Sequence, residues 1–145
     1  MFFREAKFQD IEKMHAVQMA LAEDKSVYPP LTGPEDFHRL LTSGKGWVCE
    51  VEGDLLGFAL VDLPQARVSA LTVRPGLEGD FINRMLHDMM TSWCFARAVP
   101  KLTLSTCSNT RAEQFYLKAG WVKTGVDANG KNAFELENNL EPLSF

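Results

Sequence analysis

Residues 109–121 read NTRAEQFYLKAGW, and this stretch contains the signals of one short amphipathic helix. Thr110 and Glu113 have the spacing of a capping box, in which two free N–H groups at a helix start are satisfied. Gly120 stands where a helix of this length ends. The side chains on its inner side are small or aromatic: Ala112, Phe115, Tyr116 and Ala119. We therefore predict a helix over residues 110–119 whose aromatic side faces a core.

The segments that precede this helix predict a mixed sheet. Residues 101–106 alternate in polarity like a half-buried strand, and residues 81–97 keep one apolar side throughout, like a long helix. Residues 67–73, between Pro64 and Pro75, form another predicted strand. A strand–helix–strand unit of this kind places its two strands parallel, with the helix on one face of the sheet.

The remaining segments complete a single domain over residues 1–145. Turn residues predict hairpins at 52–54 and 127–130, and a hairpin pairs its strands antiparallel. The other predicted elements are a helix at 11–21 capped by Asp10, a helix at 35–42 ended by Gly44 and Gly46, and strands at 47–51, 55–62, 121–126 and 132–136. We expect an α/β fold in which a central mixed β-sheet is flanked by helices.

The charge of the chain argues against several classes of partner. Lys and Arg number 15 against 19 Asp and Glu, which gives a net charge of −4 and an isoelectric point near 5.4. Such a chain lacks the basic surface that nucleic acids and anionic membranes require. The most apolar helical stretch, residues 81–98, contains charged side chains and is too polar to span a membrane. We expect a cytoplasmic protein that binds neither nucleic acid nor membranes.

The cysteines and histidines give no metal or disulfide signal. The three cysteines are widely spaced and odd in number, so we expect reduced thiols that pack as small apolar groups: Cys49, Cys94 and Cys107. The three histidines have no ligand spacing, and we expect each at the surface or on a helix side: His15, His38 and His87. No metal is expected.

Two loops are candidates for ligand binding because each joins the carboxyl end of a strand to the start of a helix. One covers residues 73–80 and the other residues 107–109. Open α/β sheets bind ligands at such ends, where the free N–H groups of a helix attract phosphate. Because junctions of this kind occur in every α/β protein, their position alone does not identify a site.

Around residues 109–121 the chain resembles the GNAT N-acetyltransferases. In that family, a set of residues marks the helix beside the acetyl-CoA thioester, and the matching residues here are Asn109, Ala112, Phe115, Tyr116, Gly120 and Trp121. Residues 48–58 look like the family's hairpin with an acidic turn and Gly-Phe, and residues 70–75 look like its central strand ending in V-x-P. The resemblance covers residues 3–136, which a chance motif would not do.

The resemblance implies a GNAT-like acyl-CoA N-acyltransferase fold and acetyl-CoA as co-substrate. Tyr116 would be the general acid that protonates the departing thiolate, and Asn109 would hydrogen-bond the pantetheine arm. The backbone of Leu71, Thr72 and Val73 would pair with the pantetheine amides, and one N–H group there would polarise the acetyl carbonyl. The pyrophosphate would be held by backbone N–H groups of Glu78, Gly79, Asp80, Phe81, Ile82, Asn83 and Arg84.

Each of these assignments has a structural alternative. A Phe-Tyr pair on a helix most often packs in a core, Asn109 fits a turn before a helix, and residues 70–73 fit a buried strand of any fold. The general base is not identified: Asp62 suits a turn and Glu50 a solvated hairpin position better than catalysis. A covalent route through Cys107 has no adjacent histidine to activate the thiol.

The phosphate loop departs from the family pattern, which is Gln or Arg, two residues, Gly, one residue, Gly. Phe81 and Asn83 stand where glycines are usual, and a glycine lets the backbone approach a pyrophosphate closely. Glu78 and Asp80 add negative charge, and Arg84 is the cation of this turn. These departures predict weakened CoA binding, unless Phe81 turns into the core and Asn83 donates a hydrogen bond to phosphate.

Two functional hypotheses follow. The first is an acetyl-CoA-dependent N-acetyltransferase that transfers an acetyl group to a small-molecule or peptide amine by direct attack in a ternary complex. Its acceptor site would be walled by residues 26–34, with Tyr28 lining it, and by the final hairpin. The second is a catalytically inactive GNAT-fold binding or regulatory module that has lost normal CoA binding. A homodimer, or a structural role, built on an exposed sheet edge has no specific signal in the sequence.

Overall fold

The computed structural model describes residues 1–21, 25–77 and 80–139. Its strands are β1 (Phe2–Glu5), β2 (Gly44–Val51), β3 (Asp54–Asp62), β4 (Arg67–Val73), β5 (Lys101–Thr106), β6 (Val122–Val126) and β7 (Asn132–Glu137). Its helices are α1 (Ile11–Met19), α2 (Pro34–Ser43), α3 (Phe81–Ala96) and α4 (Arg111–Lys118). The strands form one seven-stranded sheet in the order β1-β2-β3-β4-β5-β7-β6, in which β4 and β5 are parallel and the other neighbours antiparallel. The predicted α/β class with a mixed sheet flanked by helices is confirmed.

Helices cover both faces of the sheet, because side chains along the central strands alternate between two cores. Along β3, Phe58 and Leu60 join one core, whereas Ala59 and Val61 join the other. The first core contains residues of α1 and α2, and the second contains residues of α3 and α4. Among the described helices, none combines the length and apolarity needed to cross a bilayer.

The sheet opens between β4 and β5. These two strands pair at a single position, Arg67 with Thr103. Toward their carboxyl ends, the described residues of the two strands form no further backbone pairs. On the β5 side, part of the opening is occupied by the segment that follows α1, where Val27 pairs antiparallel with Thr106. On the β4 side, the edge beyond Arg67 has no strand partner among the described residues. An unpaired backbone edge is therefore present inside the sheet.

Two strands, β1 and β2, differ from the prediction by more than one residue, and glycine explains the difference at β2. β2 begins at Gly44 rather than at residue 47. Gly44 was predicted only to end the preceding helix, but it also pairs with Asp62 of β3. A Cβ at Gly44 would lie 1.9 Å from the Val61 carbonyl oxygen, so this close approach of two backbones requires glycine. β1 was not predicted, because four residues give too short a pattern to identify an edge strand.

Asp10 does not cap α1, so that prediction is wrong. Its carboxylate accepts hydrogen bonds from the Lys7 backbone N–H (2.8 Å) and from both terminal nitrogens of Arg4 (2.8 and 2.9 Å). Arg4 also donates to Glu50 of β2 (3.1 Å). The Arg4 guanidinium holds the pKa values of Asp10 and Glu50 below their usual range. This cluster joins β1 to β2 and to the start of α1.

Candidate active site

An open cleft of about 840 Å³, counted with the solvent at its mouth, lies beside the carboxyl end of β4. The end of β4 and the turn after it form one wall, and α4 forms another. The lining residues are Leu21, Lys25, Leu71, Thr72, Val73, Arg74, Pro75, Gly76, Leu77, Asp80, Asn83, Arg111, Ala112, Phe115 and Tyr116. Six predicted site residues therefore meet in one place: Leu71, Thr72, Val73, Asp80, Asn83 and Tyr116.

Tyr116 lines the deep part of this cleft, and only 2% of its surface is exposed. Its ring packs edge-on against Phe115, with 5.5 Å between centroids, and against Trp121 at 5.6 Å. Its hydroxyl makes no hydrogen bond to a residue in the described part of the chain. Burial raises the pKa of Tyr116, so the phenol stays protonated at neutral pH. The hydroxyl is thus a proton donor whose direction is set by ring packing.

A buried polar pair stands behind Tyr116. The Trp121 indole N–H donates to His87 Nε2 (2.9 Å), and His87 Nδ1 lies 2.9 Å from Asp88 Oδ1. Since Nε2 accepts, His87 is neutral with its proton on Nδ1. Burial lowers the pKa of His87, which favours this neutral form. Of the two predicted positions, surface or helix side, the surface position is wrong for His87: it lies on α3, is 3% exposed and faces Trp121.

The end of β4 presents its free backbone edge to the cleft. Leu71, Thr72 and Val73 pair with β3 along one edge, and their other edge is the unpaired one. The Thr72 hydroxyl donates to Gln18 Oε1 of α1 (3.1 Å), and Gln18 Nε2 donates to Ser26 Oγ (3.4 Å). These buried side chains hold the edge at a fixed distance from α1. Sequence reasoning missed this polar role of Gln18.

The turn that follows β4 differs from a glycine-rich phosphate loop. Pro75 and Gly76 occupy its centre, Gly76 has a φ of 88°, and the Leu77 N–H points to the Arg74 carbonyl at 3.5 Å. This is the residue order and backbone shape of a type II turn. Glu78 and Gly79, both predicted to bind pyrophosphate, lie outside the described residues.

The predicted phosphate-binding residues at the start of α3 lie in several different environments. Asp80 and Asn83 line the cleft, and Ile82 is buried in the core. Phe81 is 62% exposed and packs edge-on against Phe3, with 6.3 Å between ring centroids. It does not line the cleft, so its bulk does not obstruct a ligand there, and it does not turn inward as one expectation had it. Arg84 forms an ion pair with Asp88 (3.2 Å) away from the cleft lining.

Asn109 adopts a left-handed conformation, with φ 59°, immediately before α4. Its backbone N–H donates to Glu113 Oε1 (3.2 Å), while Thr110 Oγ1 accepts from the Glu113 N–H (3.2 Å). Half of the predicted capping box therefore forms: Thr110 caps the helix, but the Glu113 carboxylate accepts from Asn109 instead of from the Thr110 N–H. The Asn109 side chain is exposed and is not part of the cleft lining.

Three cationic side chains line the cleft: Lys25, Arg74 and Arg111. None of them was predicted to bind a ligand. Asp80 is the one carboxylate among the described lining residues. The available signal was positional, because Arg74 directly follows β4 and Arg111 is the first residue of α4. The general-base candidates lie elsewhere: Glu50 pairs with Arg4, and Asp62 accepts the Gln65 N–H in a turn (3.3 Å).

The free cysteines and potential metal ligands do not contribute a further centre. Cys49 and Cys94 are buried in the core between α3 and the sheet, and Cys107 is half-buried after β5. In the described part of the chain, no three His, Cys, Asp or Glu side chains are grouped as a metal site would require.

Comparison with known proteins identifies the family. The model of the acetyltransferase (GNAT) family matches residues 11–121, which is most of the chain, and the chain belongs to that family. Membership supports the expectation that the chain is an acetyltransferase. A search of curated protein sequences finds no significant match.

Solved structures share the fold at low sequence identity. The smu.2055 protein of Streptococcus mutans has a TM-score of 0.79 and 14% identity, over 96% of this chain and 100% of that one. The ribosomal-protein-S18-alanine N-acetyltransferase of Escherichia coli has a TM-score of 0.74 and 14% identity, over 99% of each chain. The PaiA N-acetyltransferase of Thermoplasma acidophilum, in complex with coenzyme A, has a TM-score of 0.77 and 13% identity, over 94% and 98%. These similarities establish the fold.

Proposed function

We propose that this protein is an acetyl-CoA-dependent N-acetyltransferase in which an amine attacks the thioester directly. The observation that carries the proposal is the free edge of β4 at residues 71–73 next to a buried, protonated Tyr116. Such an edge offers N–H and C=O groups to an extended ligand that contains amides, and the pantetheine arm of CoA is such a ligand. The two features lie in one cleft, where the thioester would meet the hydroxyl.

The strand edge has a second role in this proposal. When the amine attacks, negative charge develops on the thioester carbonyl oxygen, and a fixed backbone N–H group of Leu71, Thr72 or Val73 would stabilise it. Because Thr72 is held by Gln18, this donor would need little reorganisation. Asn109 would hydrogen-bond the pantetheine arm from the opening turn of α4.

Tyr116 would protonate the thiolate that leaves. Burial raises the pKa of the phenol, and the same dry surroundings would also make the departing thiolate more basic. Proton transfer between the two would therefore stay feasible although each is desolvated. Transfer of this kind by a placed side chain contributes roughly 10²–10⁴ to a rate.

The acceptor would approach between the segment after α1 and the final hairpin, which meet in this structure. Tyr28 connects them: its N–H donates to Ser105 (2.8 Å), its carbonyl accepts from Arg67, and Lys131 lies over its ring (4.2 Å). We propose a small-molecule or peptide amine as acceptor. The E. coli structural neighbour, by its title, acts on an alanine of ribosomal protein S18.

A thermal or chemical unfolding series with acetyl-CoA tests cofactor binding. At a ligand concentration 100-fold above its dissociation constant, a binder gains about 2.7 kcal/mol of stability. Acetyl transfer to a panel of amines, followed by release of free thiol, then tests the activity. A stability gain without transfer to any amine would favour the binding-module alternative, and no stability gain would remove the acetyl-CoA proposal.

A further inference from the structure

The arginines of this chain fall into two groups. Five of the seven have a partner in the protein: Arg4 with Asp10, Arg39 with Asp36, Arg67 with the Tyr28 carbonyl, Arg84 with Asp88, and Arg97 with the Trp93 carbonyl. The side chains of Arg74 and Arg111 have no hydrogen-bond or ion-pair partner among the described residues. These two are the arginines that line the cleft. Within the described part of the chain, nothing therefore uses their hydrogen-bonding capacity at the site where a ligand is expected.

The two arginines belong to different walls of the cleft. Arg74 follows the last residue of β4, and Arg111 begins α4. Lys25 adds a third positive charge, against the single carboxylate of Asp80 among the described lining residues. The whole chain has a net charge of −4, so this excess of positive charge is local. A cleft with this balance attracts a polyanion.

The start of α3 does not supply the same charge. The Arg84 guanidinium is engaged by Asp88, and Phe81 and Asn83 replace the glycines that would let a backbone enclose a pyrophosphate. Gly76, in contrast, lines the cleft, and a Cβ built there would meet no atom of the described residues within 4 Å. The open space thus lies beside Arg74, one turn earlier in the chain than the expected loop.

We propose that Arg74 and Arg111 together bind the diphosphate of the nucleotide cofactor. A guanidinium donates two parallel hydrogen bonds to a phosphate, so two of them, one from each of these walls, would replace the missing backbone donors. The proposal rests on the proposed function for the identity of the cofactor. It assigns the phosphate charge to side chains rather than to the glycine-type loop.

The test compares Arg74→Gln, Arg111→Gln and the double variant with Arg39→Gln, a surface control on α2 with the same charge change. Binding of CoA, dephospho-CoA and ADP is measured by calorimetry at low salt. Each single variant should weaken all three ligands about 10-fold, and the double variant roughly 100-fold if the contacts are independent. Arg39→Gln should bind like the unaltered protein, and unfolding curves verify that every variant is folded.

The outcomes separate this proposal from the proposed function. Loss of ADP binding in the two cleft variants supports it, whether or not acetyl is transferred to any amine. Unchanged CoA affinity in the folded double variant overturns it and leaves the transferase proposal intact. The same conclusion follows if a further variant, Arg84→Gln, loses CoA affinity while the cleft variants do not. A loss confined to CoA, with dephospho-CoA unaffected, also overturns it, because the arginines would then bind the 3′-phosphate. If none of the three ligands binds the unaltered protein, both proposals fail.

Discussion

Two loops at the cleft lead into helices, and different kinds of contact fix their conformations. The loop before α4 is fixed by short-range contacts: Thr110 accepts the Glu113 N–H, and Glu113 accepts the Asn109 N–H. The loop before α3 is a Pro75-Gly76 turn, after which Phe81 packs against Phe3 of a distant strand. The first loop is determined by residues within one helical turn, and the second by contacts across the fold.

This difference teaches where a family motif can be transferred from sequence and where it cannot. In the α4 loop, side chains bond to backbone groups a few residues away, so spacing alone identifies the geometry. In the α3 loop, the direction of the Phe81 side chain depends on Phe3, a distant partner that spacing does not reveal. The α4 side should therefore determine catalysis and local stability, while the bulky residue of the α3 side should have little effect on either.

The largest expected effect is on turnover after Tyr116→Phe. The substitution removes the proton donor and keeps the packed ring, so the acetyl-transfer rate should fall by about 100-fold or more. Acetyl-CoA binding, measured by calorimetry, should change little. A variant with full turnover would remove Tyr116 from the mechanism, and a variant that no longer binds cofactor would make it a binding residue.

The next effect is on stability after His87→Phe. This change leaves the buried Trp121 N–H without its acceptor, which should cost about 1–3 kcal/mol in the free energy of unfolding. Urea unfolding at pH 7.5 measures it. His87→Gln, whose amide oxygen is able to accept from Trp121, should recover part of the loss. If both variants are as stable as the unaltered protein, the buried hydrogen bond between Trp121 and His87 contributes nothing to the free energy of unfolding.

The same histidine gives stability a pH dependence of known sign. The unfolded chain protonates His87 near pH ~6.5, whereas burial lowers the pKa of His87 in the fold. Its contribution is therefore complete above about pH 6.5 and is lost as pH falls below it. His87→Gln should flatten the part of the unfolding profile that lies below about pH 6.5. An identical slope in both proteins would assign the dependence to other groups.

A smaller effect is expected from Thr110→Ala. Loss of the side chain that accepts the Glu113 N–H should destabilise the protein by about 1 kcal/mol. Thermal unfolding measures it against Thr42→Ala, an exposed threonine in the last turn of α2 whose hydroxyl donates to the His38 carbonyl (2.8 Å). A larger loss in Thr42→Ala than in Thr110→Ala would contradict the view that the α4 loop is fixed by its cap.

The smallest effect is expected from Phe81→Ala. Because this ring lies outside the cleft and is mostly exposed, CoA affinity should change by less than about 2-fold and stability by less than ~0.5 kcal/mol. Calorimetric titration with CoA measures the affinity. Markedly tighter binding would mean that Phe81 does enter the cleft, as the sequence alone suggested, and the contrast between the two loops would disappear.

The elements with local signals were predictable from the sequence. β4 and β5 have the predicted bounds, and α3 ends one residue from its predicted end, because their periodicity and flanking prolines act within the segment. The mixed sheet and the capped α4 followed in the same way. β1 was missed because an edge strand of four residues owes its structure to pairing with β2, in which Phe2 pairs with Glu50 and Arg4 with Val48, far away in the sequence.

The chemistry of the site was less accessible to sequence reasoning than its position. Tyr116 and residues 71–73 were located by resemblance, and the structure brings them into one cleft. His87 was predicted to lie at the surface or on a helix side. Its burial was missed because nothing near it in sequence indicates that Trp121, which follows α4, packs against it. The cationic side chains were missed for a related reason: whether an arginine is available depends on which acids fold against it, and this is a property of the tertiary structure.

The pairing of Val27 with Thr106 has a consequence for how two substrates share this sheet. With that pairing in place, the described residues leave one unpaired backbone edge in the gap between β4 and β5, and one extended ligand can pair with it. If the pantetheine arm takes that place, an incoming peptide cannot extend the sheet beside it. We therefore expect the amine to be selected by its side chain and terminus rather than by strand-like docking, which would suit short or flexible acceptors.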